Sequence, residues 1–298
     1  MSAPRVSVVV VSFEARDDLS ACLASIDSHG GPGIQTIVVD NASTDGSADV
    51  AARAKPDARL IRNAENAGFG RACNQGAAAS SAPGVRRASG LRKRRDDALM
   101  RVLDEDAHVG IVGPRTVNDD GTPQLSFGPA LGLLAEWRQR RLVRGVRRRD
   151  PATLRRVEAL TAAAADPDWV SGSCLLVRRR TFEQVGGFDE AFFLYEEDVD
   201  LCVRARAAGW SVRFEPRAVV RHALGRSMAR HPERARLEYH RSHLRYYQKH
   251  NGAPATAALR AGIAAKSLAG WMGALLKRDA ALQSAHADAI RLALGRSP

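Results

Sequence analysis

A run of β-branched residues near the start of the chain, VSVVVVSF at positions 6–13, most constrains the fold. Such a run is apolar on both faces of an extended strand, which is typical of a parallel strand covered by helices on both sides. The next stretch, 16–30, spaces its apolar residues with a helical period and ends at Gly30-Gly31. The sequence therefore predicts a buried strand followed by a helix that packs on it.

The same strand–helix unit recurs twice. A strand at 34–39 leads to a helix from about position 47, and a strand at 58–61 leads to a helix from about position 69. Alternating strands and helices fold into a doubly wound parallel sheet, whose ligands lie at the carboxyl ends of the strands. Later segments add helices and strands, and a helical region begins at about position 233.

The composition favours a packed domain with anionic partners. Of 298 residues, 45% are hydrophobic and 26% charged, and the formal net charge is +12. Nucleic acid is an alternative partner, but the basic blocks lack interleaved aromatic residues, so we predict none. The four cysteines form no CxxC pair, and the sequence has no run of about 18 apolar residues. The first apolar run is short and follows Arg5 directly, so we expect no leader peptide.

Polar side chains follow the first three predicted strands. Ser12 and Glu14 follow the first strand, Asp40 and Asn41 the second, and NAGFGRACNQG the third. A carboxylate at the tip of a buried strand can accept hydrogen bonds from a ribose or a base, and an arginine can reach a phosphate. For the rest of the second loop, 43–45, we favour the alternative that its side chains cap the loop.

The most specific motifs lie later in the chain, WVSGSCLLVRR, GGFDEAFFLYEEDVDLCVRA and VRHALGRS. With VVVVSF, VVDNASTDGS and NAGFGRACNQG before them, they make residues 5 to about 250 resemble the inverting family 2 glycosyltransferases, most closely the rhamnosyltransferase branch. The resemblance implies an α/β fold of the GT-A type, a Rossmann-like, mostly parallel sheet flanked by helices. Residues 1–250 would form this domain and 251–298 a C-terminal helical extension.

The resemblance implies transfer of a sugar from a nucleoside diphosphate to an acceptor hydroxyl, with inversion. Asp198 matches the general base, and Glu197, Gly172 and Ser173 match acceptor contacts. The alternative for the acidic run at 196–198 is a first helical turn favoured by the helix dipole. Nucleotide binding is implied for a set of seven residues, Ser12, Glu14, Asp40, Asn41, Gly68, Arg71 and Asn74.

The same resemblance implies further roles. His222 matches a position that ligates the metal or the diphosphate, although a histidine after a strand is also typical of a structural residue. Arg226 and Ser227 would lie beside the diphosphate, and Trp169 would either stack on the acceptor or belong to the core. A divalent cation, Mg²⁺ or Mn²⁺, is expected as the cofactor of the family.

Residues 84–95, GVRRASGLRKRR, depart from that pattern. The resemblance implies an apolar fourth strand here, ending in an Asp-x-Asp-like motif that holds the cation on the diphosphate. The segment has no β-run and no acid before Asp96, and Arg and Lys in a central strand would leave buried charges unpaired. We therefore predict an exposed loop or a strained strand here, and weak or absent catalysis.

Three explanations of this segment stay open. A paired frameshift would garble one stretch and keep its length; genuine divergence would replace the cation by Arg and Lys; and an inactive copy would have lost the motif. Asp104-Glu105-Asp106 fits Asp-x-Asp literally, but we interpret it as the solvated end of the following helix. An alternative function is therefore a catalytically inactive sugar-nucleotide-binding homologue.

The resemblance also suggests partners. The favoured donor is deoxythymidine-diphospho-rhamnose (dTDP-rhamnose), and the acceptor is a lipid-linked sugar or a polysaccharide. The Arg-rich segment 138–156 and the helix around GIAAKSLAGWMGALLKR could rest on an anionic membrane, the alternative being a solvated face and a packed helix. We expect a cytoplasmic protein, peripheral on the inner face of the cell membrane.

Overall fold

The computed structural model describes residues 4–29, 33–87, 96–222 and 232–296. The strands in the described residues are Val6–Ser12 (β1), Ile34–Asp40 (β2), Arg59–Arg62 (β3), Gly84–Arg87 (β4), Val109–Val117 (β5), Pro123–Gln124 (β6), Phe127–Gly128 (β7), Trp169–Val170 (β8), Leu175–Arg178 (β9) and Ser211–Arg221 (β10). The helices are Arg16–His29 (α1), Ser47–Ala54 (α2), Phe69–Ala78 (α3), Asp96–Glu105 (α4), Leu133–Arg147 (α5), Pro151–Ala162 (α6), Arg179–Gln184 (α7), Glu197–Ala207 (α8), Pro232–His250 (α9), Gly252–Leu276 (α10) and Ala280–Ala293 (α11). These elements follow the predicted alternation.

Eight strands form a mostly parallel sheet. Its order is β10-β5-β9-β4-β1-β2-β3, with β6 paired to β5, while β7 and β8 form a separate ribbon. Strand β9 runs antiparallel to both β4 and β5. The start of β9 therefore lies at the edge of the sheet where β1, β2, β4 and β5 end, and we call this edge the crevice edge.

Helices cover both faces of β1, as its sequence predicted. Val8 and Val10 pack against α1 in one buried cluster, and Val9 packs against α3 in another. Helix α3 packs very closely on β1 at Gly76. A Cβ atom added there would lie only 2.3 Å from Cγ1 of Val9. The four cysteines are buried, and none of them forms a disulfide bond. The sheet is thus the middle layer of three.

The fourth strand is present, which corrects the expectation that it is missing. Residues Gly84–Arg87 lie between β1 and β9, where Arg87 pairs with Val9 on one side and with Leu175 on the other. The hydrogen bonds that pair β-strands join backbone N–H and C=O groups, and arginine has the same backbone groups as valine. Of the two predicted forms, residues 84–87 therefore adopt the strand. Residues 88–95 lie outside the described part of the chain.

The C-terminal helices pack on the same core as the sheet. Helix α9 ends at His250 and α10 begins at Gly252, which has a left-handed φ of 76°. Leu259 and Ile263 of α10 belong to the buried cluster that includes Tyr247 of α9. No helix in the described residues has both the length and the apolar character needed to cross a bilayer.

Candidate active site

Two buried polar residues end adjacent strands at the crevice edge. Ser12 of β1 and Asp40 of β2 face each other in register, and they are 2% and 3% exposed. Within the described residues, neither Oγ of Ser12 nor Oδ1 of Asp40 has a hydrogen-bond partner. An unpaired buried oxygen is costly, so it commonly marks a place where a ligand or water supplies the partner. The pair is therefore a candidate contact for a ligand that donates hydrogen bonds.

The loop after β2 is held by side chains, as predicted for residues 43–45. The backbone N–H of Ser43 donates to Oδ2 of Asp40 at 3.1 Å. Thr44 donates through its backbone and its hydroxyl to Oε1 of Glu14, at 2.7 and 3.0 Å. Asp45 accepts from the backbone N–H two residues later at 3.0 Å, at the start of α2. Glu14 thus ties the loop after β1 to the loop after β2.

Asn41 braces the loop after β3. Its Nδ2 donates to Oδ1 of Asn66 at 2.8 Å and to the carbonyl of Gly68 at 3.1 Å. Its Oδ1 accepts from Nδ2 of Asn63 at 2.9 Å and from the backbone of Ala67 at 3.1 Å. Both the nitrogen and the oxygen of the Asn41 side chain are therefore hydrogen-bonded to other protein groups. Asn41 supports the loop that borders the crevice edge.

Gly68 allows the segment before α8 to touch the start of α3. It has a left-handed φ of 84°, and a Cβ atom added there would lie 2.9 Å from both the backbone oxygen and the ring of Phe193. The next residue, Phe69, donates its backbone N–H to the same Phe193 oxygen at 2.7 Å. Only glycine combines this backbone conformation with this close approach.

Asn74 and Arg71 extend the contact along α3. The side chain of Asn74 accepts from the backbone N–H of Phe188 at 2.9 Å and donates to the carbonyl of the same residue at 3.0 Å. Its Nδ2 also donates to Oε1 of Glu190 at 3.0 Å. Arg71 places Nε 3.8 Å from the other carboxylate oxygen of Glu190 and is half-exposed. These two residues thus clamp the segment that leads to α8.

Asp198 lies in the first turn of α8 and faces the start of β9. Its Oδ2 accepts a short hydrogen bond of 2.5 Å from the backbone N–H of Gly172, and its Oδ1 accepts from Val199 at 2.9 Å. Gly172 precedes β9 at the crevice edge. Since β9 is two strands from β1, the lateral separation from Ser12 is about 10 Å at the usual spacing of strands. Asp198 therefore contacts the segment that leads into β9 at the crevice edge.

The other predicted acceptor residues are chain neighbours of this contact, Glu197 beside Asp198 and Ser173 beside Gly172. Glu197 is 4% exposed and Ser173 is 7% exposed, and the backbone N–H of Ser173 donates to Oγ of Ser171 at 3.2 Å. Trp169 belongs to the buried core and donates its indole N–H to the carbonyl of Pro129 at 2.8 Å. Of the two alternatives for Trp169, the structure therefore has the core residue.

Of the residues predicted near the diphosphate, His222 lies in the described part of the chain, and it belongs to no group of metal ligands there. Nδ1 of His222 lies 3.4 Å from Oε1 of Gln124, whose Nε2 donates to the His222 carbonyl at 2.8 Å. In the described ranges no group of three potential ligands could hold a metal ion, and the sequence 88–95 contains no carboxylate. The donor set therefore does not fit a divalent cation. Arg226 and Ser227 lie outside the described residues.

One cluster was not identified from the sequence. Buried His243 lies between Glu136 of α5 and Glu196, two residues before Asp198. The three residues come from distant segments, so no spacing motif could show them. The sequence RLEYHRSHLRYY contained one indication of the cluster. A histidine among several aromatic residues of a predicted helix indicates that this side of the helix packs against the domain.

Comparisons with known proteins agree with this architecture. A family model described as glycosyl transferase family 2 matches residues 7–85, and one described as glycosyltransferase like family 2 matches residues 141–248. The mannosyltransferase PcManGT from Pyrobaculum calidifontis, solved with GDP-Man and Mn²⁺, superposes with a TM-score of 0.57 at 19% identity, over 99% of this chain and 87% of that one. That likeness concerns the fold.

Two relatives are rhamnosyltransferases. N-acetylglucosaminyl-diphospho-decaprenol L-rhamnosyltransferase of Mycobacterium tuberculosis (strain CDC 1551 / Oshkosh) is 32% identical in an alignment 282 residues long, which covers 87% of this chain and 91% of the relative. Rhamnosyltransferase WbbL of Escherichia coli (strain K12) is 47% identical over 49 residues, 16% of this chain and 19% of WbbL. Since the first similarity spans nearly all of both chains, and the sheet with its flanking helices is that of a GT-A fold, the chain belongs to glycosyltransferase family 2.

Proposed function

We propose that this glycosyltransferase moves rhamnose from dTDP-rhamnose to a hydroxyl of a lipid-linked acceptor, with inversion and with Asp198 as the general base. The observation that carries the proposal is the position of the Asp198 carboxylate, hydrogen-bonded to Gly172 at the crevice edge. The sugar and the class of acceptor are supported by the name of the relative that is 32% identical, an N-acetylglucosaminyl-diphospho-decaprenol L-rhamnosyltransferase.

In the proposed step the acceptor hydroxyl gives its proton to Asp198 as its oxygen attacks the anomeric carbon. A bond forms between that carbon and the acceptor oxygen while the bond to the diphosphate oxygen breaks, and the diphosphate leaves on the opposite face with the electron pair. Because the acceptor oxygen attacks the face opposite the leaving diphosphate, the configuration at the anomeric carbon is inverted. The general base therefore has to lie on the acceptor side. Arg71 lies half-exposed on α3. We propose that its guanidinium group stabilises the negative charge on the leaving diphosphate.

The donor nucleoside would meet Ser12 and Asp40. The free Oδ1 atom of Asp40 can accept a hydrogen bond from a ribose hydroxyl or from the imide N–H of a thymine, and Oγ of Ser12 can accept or donate. The loops that carry these residues are braced by Glu14 and Asn41. A pocket held in this way loses little freedom when the nucleotide binds.

Replacing Asp40 by asparagine is expected to weaken binding of dTDP by about 10- to 100-fold, because a hydrogen bond to a charged group is worth about 1.5–3 kcal/mol. Isothermal titration calorimetry measures this, with UDP and GDP alongside to compare the bases. Asp17→Asn, on the exposed face of α1, is the matched control and should leave the affinity unchanged. An Asp40→Asn protein that binds dTDP like the wild type contradicts the assigned pocket.

The chain as written is expected to turn over weakly or not at all, with or without Mn²⁺. The reason is the missing acidic motif, since the Arg-rich segment 84–95 offers no carboxylate for a cation. Release of dTDP and formation of glycosylated acceptor are the measurements. Fast turnover that depends on Mn²⁺ contradicts this expectation. Sequencing the gene across codons 80–100 tests the frameshift explanation directly.

A catalytically inactive sugar-nucleotide-binding homologue is the second candidate function, favoured by the same missing motif. The two candidates differ at Asp198. In an enzyme, Asp198→Asn slows transfer strongly and preserves nucleotide binding; in a binding protein the wild type transfers nothing, and the substitution changes neither property. Binding of dTDP without any transfer by the wild-type chain supports this second candidate.

We further propose that α5 rests on the anionic inner face of the membrane that carries the acceptor. Leu133, Leu134 and Trp137 are 49%, 59% and 52% exposed. The guanidinium of Arg141 lies 5.0 Å from the centre of the Trp137 ring. Exposed apolar residues beside arginines are typical of helices at a membrane surface. A cleft of about 370 Å³ next to them is lined by Arg141, Arg144, Gly145, Arg148, Asp150 and Thr153.

The protein is expected to sediment with vesicles that contain phosphatidylglycerol, less so at high salt, and not with neutral phosphatidylcholine vesicles. Trp137→Ser should lower the partition coefficient by about tenfold, because an exposed aromatic anchor is lost. Leu294→Ser, at the exposed C-terminal end of α11, is the control. Sedimentation that is equal for both vesicle types, or absent, contradicts the proposal and leaves α5 as a solvated face.

A further inference from the structure

A chain of three buried ionisable side chains joins α5 to the start of α8. His243 of α9 is 1% exposed, and Glu136 and Glu196 are each 8% exposed. Nδ1 of His243 lies 3.0 Å from Oε1 of Glu196, and its Nε2 lies 3.0 Å from Oε2 of Glu136. The Nδ1 contact is a hydrogen bond, whereas Nε2 has no hydrogen-bond partner among the described residues and meets Glu136 as a close ionic contact. His243 is therefore placed to bridge two carboxylates as a cation.

The partners of His243 are themselves held in place. The hydroxyl of Tyr247 donates to Oε1 of Glu136 at 2.5 Å, and Arg140 donates to its Oε2 at 2.8 Å. The ring of Tyr239 stacks on His243, with centroids 5.2 Å apart and planes 15° apart. A buried network in which each member has several partners has little freedom to rearrange. The position of the His243 ring is thus fixed from three sides.

Charge and burial act on this cluster in opposite directions. Burial lowers the pKa of His243, but the two carboxylates outweigh it and raise that pKa to about 9. Burial raises the pKa of Glu196. The titratable or charged groups that face His243 are Glu136 and Arg140 on α5, Glu196 before α8, and Tyr239, His240 and Tyr247 on its own helix.

Glu196 belongs to a backbone turn that needs support. Tyr195 and Glu196 have left-handed φ angles of 70° and 64°. Residues with a Cβ atom keep this conformation only where surrounding contacts hold it, and such strain is concentrated at functional sites. Helix α8 begins directly after this turn, and Asp198 follows two residues later. The turn therefore sets the direction in which the Asp198 carboxylate points.

We propose that His243 is a positioning residue: by holding Glu196 it fixes the left-handed turn and keeps Asp198 against Gly172, aimed at the acceptor. The inference rests on the proposed role of Asp198 as the base. It assigns the buried cluster of Glu136, His243 and Glu196 to catalysis without any contact with substrate. The apolar core alone would hold α9 in place; the charged bridge is needed for the orientation of one carboxylate.

His243→Gln tests the proposal, because glutamine keeps hydrogen-bonding capacity and removes the positive charge. The first readout needs no turnover. In protein labelled with ¹⁵N-glycine, the amide of Gly172 should lose about tenfold or more of its protection against hydrogen exchange, since its acceptor Asp198 is no longer held. The second readout is transfer under enzyme excess, where the rate constant should fall about 10- to 100-fold while the KM for the donor is unchanged.

His240→Gln is the matched control, one turn earlier on α9 and outside the bridge. It should leave both the Gly172 protection and the transfer rate at the wild-type values. A folded His243→Gln protein with wild-type protection and rate overturns the inference. Failure of the wild type to bind any nucleotide would instead overturn the proposed function, and the Gly172 readout would still decide whether His243 positions Asp198.

If His243→Gln does not fold, an NMR titration of the wild-type protein against pH tests whether His243 positions Asp198. The Gly172 amide resonance should shift together with the His243 ring resonances as the pH is raised through the pKa of His243. Tyr247→Phe removes one hydroxyl donor from Glu136 and should move both transitions to the same extent. A Gly172 resonance that stays constant while His243 titrates overturns the inference.

Discussion

Replacing Asp198 by asparagine lowers the rate of sugar transfer by about 10²- to 10⁴-fold, the usual contribution of a general base. Asparagine has nearly the same shape and can still accept from the Gly172 backbone through its amide oxygen, so the fold and the crevice remain. Its amide cannot take the proton of the acceptor hydroxyl. We therefore expect a loss in the rate constant, with affinity for dTDP and melting temperature both unchanged.

The measurement is conversion of radiolabelled acceptor under enzyme excess, which resolves slow reactions. Asp57→Asn, an exposed carboxylate paired with Lys55 after α2, is the control for loss of a negative charge. Equal rates for Asp198→Asn and the wild type remove Asp198 from the chemistry.

The free energy of unfolding is expected to fall by about 3 kcal/mol between pH 6.5 and pH 9.5, from the linkage between the pKa of His243 and stability. The folded protein holds this pKa at about 9, against an ordinary value of 6.5. A raised histidine pKa contributes stability that is fully present below pH 6.5. That stability is lost as the pH rises through 9, because the folded protein then gives up the proton that the unfolded chain has already lost.

Urea denaturation at several pH values measures this. In His243→Gln the free energy should be lower at pH 6.5, and it should vary much less over the same window, so that the two curves converge near pH 9.5. His240 does not contribute there, because burial lowers its pKa to about 4. A wild-type curve as flat as that of the variant contradicts a charged His243 in the folded protein.

Much of the site could be predicted because its residues follow strands. The β-branched run at β1 and its repeats predicted a parallel sheet, and such a sheet places the loops after β1, β2 and β3 side by side. This reasoning predicted that Ser12 and Asp40 lie side by side, and the register of β1 and β2 pairs them. What the residue types could not tell is which polar side chains face a ligand. The amide of Asn41 and that of Asn74 bond to the protein itself, although both occur in the same motifs.

The sequence misled at the fourth strand. An arginine-rich segment has no β-pattern of its own, yet Gly84–Arg87 completes the sheet because β1 and β9 both offer backbone hydrogen bonds to whatever lies between them. Side-chain preference is a weak guide where two neighbouring strands already fix the backbone.

By itself, the sequence determined the order of strands and helices, the apolar layers and the place of the candidate base at a helix start. These depend on local patterns, in which period and residue type act over a few neighbouring positions. The tertiary structure alone decided the bridge from Glu136 through His243 to Glu196. Such a bridge forms where charged residues from distant segments are buried next to each other. No local sequence pattern shows which charged residues become buried or how close together they lie.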